Sequence, residues 1–123
     1  MSKNISVLVL DDEPLVCERL GEYLTAKGMD VETFTDSRAA MVRLEERPFN
    51  VVVTDLKMSS PTGMDILRFI SDRLPSTKGI LITAYGQLEQ FRAAQLMDVF
   101  EIVLKPFEMS NLYKLIKKAG KHK

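Results

Sequence analysis

The stretch ISVLVLDDEP, residues 5–14, decides the fold. Its first six residues are almost continuously apolar and rich in Val, Ile and Leu. A strand with one wet face would alternate; this one is suited to cover on both faces, as in a parallel sheet. Two carboxylates follow, then a Pro14 suited to the first turn of a helix, where its missing N–H leaves no bond unmade. Asp12 or Glu13 stands near the cap. Leu15, Cys17, Leu20, Tyr23 and Leu24 supply an apolar helical face, and Gly28 is a stop signal. The stretch therefore reads as buried strand, acidic turn, helix.

The same unit recurs. Residues 31–34 (VETF), 51–54 (VVVT), 80–83 (ILIT) and 102–104 (IVL) are further short apolar runs. The third and fourth runs are continuous like the first; the second alternates and reads as an edge strand. Asp36 or Ser37 caps a second helix with Ala40, Met41 and Leu44, which stops before Pro48. Met64, Ile66, Leu67 and Ile70 mark a third helix, ended by Pro75. Leu88, Phe91, Ala94 and Leu96 mark a fourth, and Leu112, Leu115 and Ile116 a fifth. Strand then helix, five times, is an α/β chain. The expected architecture is a flavodoxin-like (βα)5 doubly wound parallel sheet of order 2-1-3-4-5, because right-handed crossovers place helices on both faces.

The 123 residues suit one domain, long enough to bury a core without staples. Hydrophobic residues are 46% and charged residues 28%, which excludes disordered and collagen-like chains. Seventeen basic and seventeen acidic residues cancel, which argues against a dedicated nucleic-acid binder. The balance is uneven: Lys114, Lys117, Lys118, Lys121 and Lys123 leave the first 113 residues at a net −5. That pattern describes a cation-seeking body with a basic tail. The lone Cys17 has no partner for an internal disulfide. No apolar run nears the ~20 residues of a membrane span. The N-terminus leads straight into a strand rather than a signal peptide, so a cytoplasmic location without membrane contact is expected.

In this architecture chemistry gathers at the carboxyl ends of the strands. The residues there are Asp11 and Asp12, then Asp55, Thr83 and Lys105. Three carboxylates brought together repel, and one must protonate unless a cation joins them. Hard oxygen donors favour Mg²⁺, which also accepts a phosphate oxygen. A carboxylate beside Mg²⁺ can attack a phosphoryl group and form an aspartyl phosphate. Lys105 and Thr83 would supply the ammonium and hydroxyl that the transferred group needs. Taken singly, Asp11 and Asp12 can be helix caps, Asp55 a turn residue, Thr83 a strand end and Lys105 a solvated charge. Their joint placement favours the chemical reading.

With Pro61 and Gly63, Thr83-Ala84 and Lys105-Pro106-Phe107 in order, the chain resembles the CheY-like receiver domain of bacterial two-component response regulators along essentially its whole length. The resemblance implies that Asp55 is the phosphoacceptor for a histidine kinase or phosphotransfer protein. It implies Mg²⁺ ligation by Asp11, Asp12, Asp55 and the backbone carbonyl of Lys57, with Asp12 the more direct ligand of the acidic pair. Lys105 becomes the phosphate-pairing lysine, Thr83 the hydroxyl that moves on activation, and Lys105–Pro106 a cis peptide. It implies a phosphorylation-controlled switch that catalyses only its own phosphorylation and slow dephosphorylation. Its output is expected at the face of the fourth helix, fifth strand and fifth helix, including Phe91, Gln95, Val99, Ile102 and Tyr113, through a homodimer or an output domain. Residues 1–123 would be one receiver, with any linker to an effector starting near Lys117. The Thr83–Gly86 stretch (TAYG) is similar to NtrC-type receivers, whose partners are ATPase and DNA-binding domains; direct nucleic-acid binding by this chain is not expected.

Some positions depart from that pattern. Ile102 stands where an aromatic residue usually switches with Thr83, with Tyr85 as a substitute. Met58-Ser59 replaces the usual Met-Pro, and Met97-Asp98 a common Gly-Ala. Bulky Lys57 and Tyr85 are expected to shield the acyl phosphate and lengthen its life. The competing functions are weaker. A Mg²⁺-dependent phosphohydrolase usually carries a second Asp two residues past its nucleophile, where this chain has Lys57. A flavin site needs a first loop that donates hydrogen bonds to a phosphate, and Asp11-Asp12-Glu13 repels phosphate. A degenerate receiver used as a scaffold would have lost part of the site. Cys17 reads as core and His122 as solvent-exposed. The seven methionines read as core filler and the lysine tail as a solvated helix end.

Overall fold

The computed structural model describes residues 4–56, 58, 60–84 and 99–121. Its strands are β1 (Ser6–Leu10), β2 (Asp30–Phe34), β3 (Val51–Asp55), β4 (Lys78–Thr83) and β5 (Glu101–Leu104). They form one parallel sheet in the order β2-β1-β3-β4-β5, as expected from the sequence. The helices are α1 (Pro14–Ala26), α2 (Ser37–Glu46), α3 (Gly63–Arg73) and a C-terminal helix (Met109–Lys121). The helix expected around Leu88, Phe91, Ala94 and Leu96 lies outside the described residues. So do Lys57, Ser59, Tyr85, Gln95, Met97, Asp98 and His122.

Alternation along the strands divides the core into two layers. Val7, Val9, Val51, Val53, Ile80 and Ile82 pack with Leu20 and Leu24 of α1 and Leu112 and Ile116 of the C-terminal helix. Leu8, Leu10 and Val52 pack with Ala40 and Leu44 of α2 and Ile66 and Ile70 of α3. Both faces of β1, β3 and β4 are covered, which is why their sequences do not alternate.

Local signals set the helix ends. Pro14 opens α1, and Gly28 follows it at φ 89°, a conformation that a β-carbon disfavours. The Asp36 side chain caps α2 by accepting from the Arg38 N–H. Thr62 and Asp65 form a reciprocal capping box at the start of α3. The edge strand β2 carries charge rather than an open apolar row. Arg43 grips Glu32 with two hydrogen bonds, of 2.7 and 3.0 Å, and Arg47 joins Glu32 at 2.6 Å and also bonds Asp30. These arginines tie α2 to the edge and discourage pairing with another strand.

Candidate functional site

Each chemical residue reaches the site because its strand ends there. Asp11 follows β1, and its N–H donates to the Phe34 carbonyl at 3.0 Å, extending the β1–β2 ladder by one bond. Its side chain is 2% exposed and accepts from the Glu13 N–H at 2.9 Å. Asp12 is exposed. Asp55 is the last residue of β3, opposite Ile82 of β4, and is 6% exposed. Thr83 ends β4 one residue beyond Ile82 and is fully buried. Lys105 follows β5, where its N–H donates to the Thr83 carbonyl at 2.8 Å. The Lys105–Pro106 bond is cis, as the resemblance implied, and Ser60–Pro61 is cis too.

The side chains converge. Carboxylate oxygens of Asp11, Asp12 and Asp55 lie within 4.8 Å of one another. Lys105 Nζ stands 2.8 Å from Asp55 Oδ2 and 3.8 Å from Asp11 Oδ2. Burial is the main force raising the Asp11 carboxyl above its ordinary range; the charges of Asp55 and Asp12 add to it, while the Glu13 N–H and Lys105 oppose it. For Lys105, burial favours the neutral amine, yet the hydrogen bond to Asp55 and the charges of Asp55, Asp11 and Glu13 outweigh it, so the ammonium is held above its usual pKa. Lys105 thus pairs with the two buried carboxylates, Asp55 and Asp11, while the exposed Asp12 adds a third acid to the cluster. A hard divalent cation such as Mg²⁺ fits this donor set: it matches the oxygens in type and relieves a repulsion that Lys105 only partly offsets.

Several features were not read from the sequence. The Cys17 thiol, expected only as core, lies 3.3 Å from the Asp11 carbonyl and 3.4 Å from that of Phe34, so it bridges the ends of β1 and β2. Burial, then the charge of Asp11, pushes its pKa up, which keeps it a thiol. A groove of about 460 Å³ opens beside Lys105, lined by Leu15, Val16, Pro106, Phe107 and Met109 among others. Leu15, assigned by helical periodicity to the apolar face of α1, is instead 54% exposed there, whereas Cys17, Leu20 and Leu24 are buried. Ile102 pairs with Leu81 and packs on the small cluster of Leu56, Leu67 and Leu81. Tyr113, which the resemblance places on the expected output face, meets Tyr23 of α1 edge-to-face at 6.5 Å. Lys27 sits over both rings.

Comparison with known proteins agrees with this arrangement. The family model for the response regulator receiver domain matches residues 7–117. Among curated proteins, the response regulator protein PilR of Pseudomonas aeruginosa is 30% identical over 89% of this chain and 24% of its own length. The transcriptional regulatory protein GlrR of Escherichia coli is 30% identical over 93% of this chain and 26% of its own length. The chain thus spans about a quarter of the length of these curated relatives. Among solved structures, a response regulator receiver domain protein from Clostridium thermocellum superposes with a TM-score of 0.87 at 32% identity, covering 94% of this chain and 93% of that one. Fold, strand-end residues and matched span agree, and the chain belongs to the response regulator receiver domain family.

Proposed function

We propose that this receiver domain accepts a phosphoryl group on Asp55 from a histidine kinase or phosphotransfer protein in a Mg²⁺-dependent reaction. The observation that carries the reading is Lys105 Nζ, 2.8 Å from an Asp55 carboxylate that is clustered with Asp11 and Asp12. Asp11, Asp12, Asp55 and the Lys57 carbonyl would hold the cation. Bound there, Mg²⁺ neutralises charge on the phosphoryl oxygens and the surrounding carboxylates.

This chain's own groups do the rest. An Asp55 oxygen forms the new P–O bond as the P–N bond to the donor imidazole breaks. The electron pair stays on that nitrogen, which takes up a proton. Lys105 stands ready to pair with a phosphoryl oxygen once the Asp55 carboxylate has become an acyl phosphate. Thr83, whose carbonyl already holds the Lys105 backbone, offers a hydroxyl one row from Asp55. The apolar groove beside Lys105 gives a protein donor a surface continuous with the acceptor. New contacts at Thr83 and Lys105 would shift the balance between two conformations of the face made by the fourth helix, β5 and the C-terminal helix. That face would act through a homodimer or an output domain; the names of the longer relatives, transcriptional regulatory proteins, support an output in transcription.

The test is direct. Purified protein incubated with Mg²⁺ and acetyl phosphate should gain the mass of one phosphoryl group, mapped to Asp55, and Asp55→Asn should gain none. A wild type that takes up neither a phosphoryl group nor beryllofluoride overturns the reading.

A further inference from the structure

Gly63 opens α3, and its N–H donates to the Leu56 carbonyl at 3.4 Å. A β-carbon built there would lie 2.3 Å from the Asp55 carbonyl oxygen, 2.9 Å from Leu56 Cα and 3.1 Å from the Asp55 carbonyl carbon. We infer that Gly63 is a positioning residue for Asp55: by lacking a side chain, it lets the first turn of α3 rest on the Asp55–Leu56 peptide and fix the end of β3. This rests on the reading of Asp55 as the phosphoacceptor.

The atoms met are backbone, which no rotamer change can move aside. The same peptide is tied on its other side, because the Leu56 N–H donates to the Ile82 carbonyl at 2.9 Å. It is therefore clamped between β4 and α3. Nor is α3 free to retreat. Thr62 and Asp65 cap it reciprocally, and Ile66, Leu67 and Ile70 are buried beneath it. Ordinary contact begins near 3.4 Å, so a methyl group at residue 63 would force a displacement of about 1 Å between helix and strand end. The Asp55 carboxylate, held 2.8 Å from Lys105, would move with its backbone. A misplacement of that size costs on the order of a hundredfold in rate when geometry governs a reaction. Gly120 makes a contrast. A β-carbon there would meet only the flexible Ile5 side chain among its nearest atoms, Cγ2 at 2.7 Å, rather than the backbone of a strand end.

The experiment follows phosphorylation by acetyl phosphate in wild type, Gly63→Ala and Gly120→Ala, with thermal unfolding of each. Gly63→Ala should stay folded and lose about 10- to 100-fold in maximal rate, with the half-saturating donor concentration within about twofold of wild type. Its Leu56 amide should exchange hydrogen faster while that of Val52 does not change. Gly120→Ala should lose melting temperature and keep its rate. If Gly63→Ala does not fold, Thr62→Val, which removes the cap oxygen without a clash at residue 63, should slow phosphorylation several-fold in a folded domain. A Gly63→Ala rate within about twofold of wild type, an equal loss in Gly120→Ala, or an unchanged rate in Thr62→Val overturns the inference and leaves the phosphoacceptor reading standing. A wild type that is never phosphorylated overturns both.

Discussion

Lys105 joins the two buried carboxylates of the site, its Nζ 2.8 Å from Asp55 and 3.8 Å from Asp11. Under the proposed function that one cation would have two opposed roles: competing with a divalent cation for the carboxylates, and pairing with the phosphoryl group. Lys105→Met should therefore move two measurements in opposite directions. Mg²⁺ binding by calorimetry should tighten several-fold, because a competing positive charge is gone. Phosphorylation by acetyl phosphate should slow by about 10- to 100-fold, because a donor aimed at the developing charge is gone. Loss of Mg²⁺ binding in the variant would mean that Lys105 organises the carboxylates rather than competing for them.

The crowded carboxylates make a second prediction. Without metal, Asp11 is buried at 2% exposure beside two further acids, an arrangement that opposes folding. Asp11→Asn keeps an oxygen for the Glu13 N–H and removes one charge. In the presence of a chelator, the variant should melt a few degrees above the wild type. Saturating Mg²⁺ should stabilise wild type by the usual linkage, roughly 2.7 kcal/mol at a hundred times the dissociation constant. The variant should gain much less, so the order of the two melting temperatures reverses. Thermal unfolding with and without Mg²⁺ reads this, and an Asp11→Asn protein that is less stable in chelator would sink the idea.

The strand ends were legible because burial on both faces leaves a plain mark. Residues 5–10, 51–54 and 80–83 are apolar runs too short for helices, and the acids and the lysine follow them directly. The layering then places Asp11, Asp55 and Lys105 together without any knowledge of their side-chain geometry. What escaped depends on pairings that sequence patterns do not encode. Leu15 matters because Pro106, Phe107 and Met109 come up beside it from the far end of the chain. Tyr113 could turn to either side of its helix, and only packing against Tyr23 decides which. Arg43 and Arg47 stand four apart, which marks one helix face, but their shared partner Glu32 is on another element. The apolar run ends at Thr54, yet one more ladder position makes Asp55 the last residue of β3.

The groove distinguishes a protein phosphodonor from a small one. Leu15 is more than half exposed at the mouth of an apolar cleft that also includes Lys105. A docked protein would cover it; acetyl phosphate would not need it. Leu15→Asp should leave the acetyl phosphate rate near wild type and the fold intact, since the side chain adds little to the core. Transfer from a phosphorylated histidine-containing protein should drop about tenfold or more, as for loss of an apolar anchor worth over a kcal/mol. Equal effects on both donors would place Leu15 in the chemistry instead of the docking.

The β2 edge carries a pH and salt signature independent of the phosphoacceptor. The Arg43 hydrogen bonds are the main cause holding the Glu32 carboxyl below its ordinary pKa; burial opposes them, and Arg47 adds to them. A carboxyl with a lowered folded-state pKa contributes stability that is complete above its unfolded value, about 4.3. That contribution fades as pH falls from there through the lower folded value. Glu32→Gln keeps the shape and removes the charge. At pH 7 the variant should be the less stable protein in urea unfolding. The gap should narrow as pH drops below about 4, and at neutral pH it should shrink as salt rises, since the pairs lie near the surface and are screened. A gap that persists unchanged into acid would assign the role of Glu32 to packing against α2 rather than to its charge.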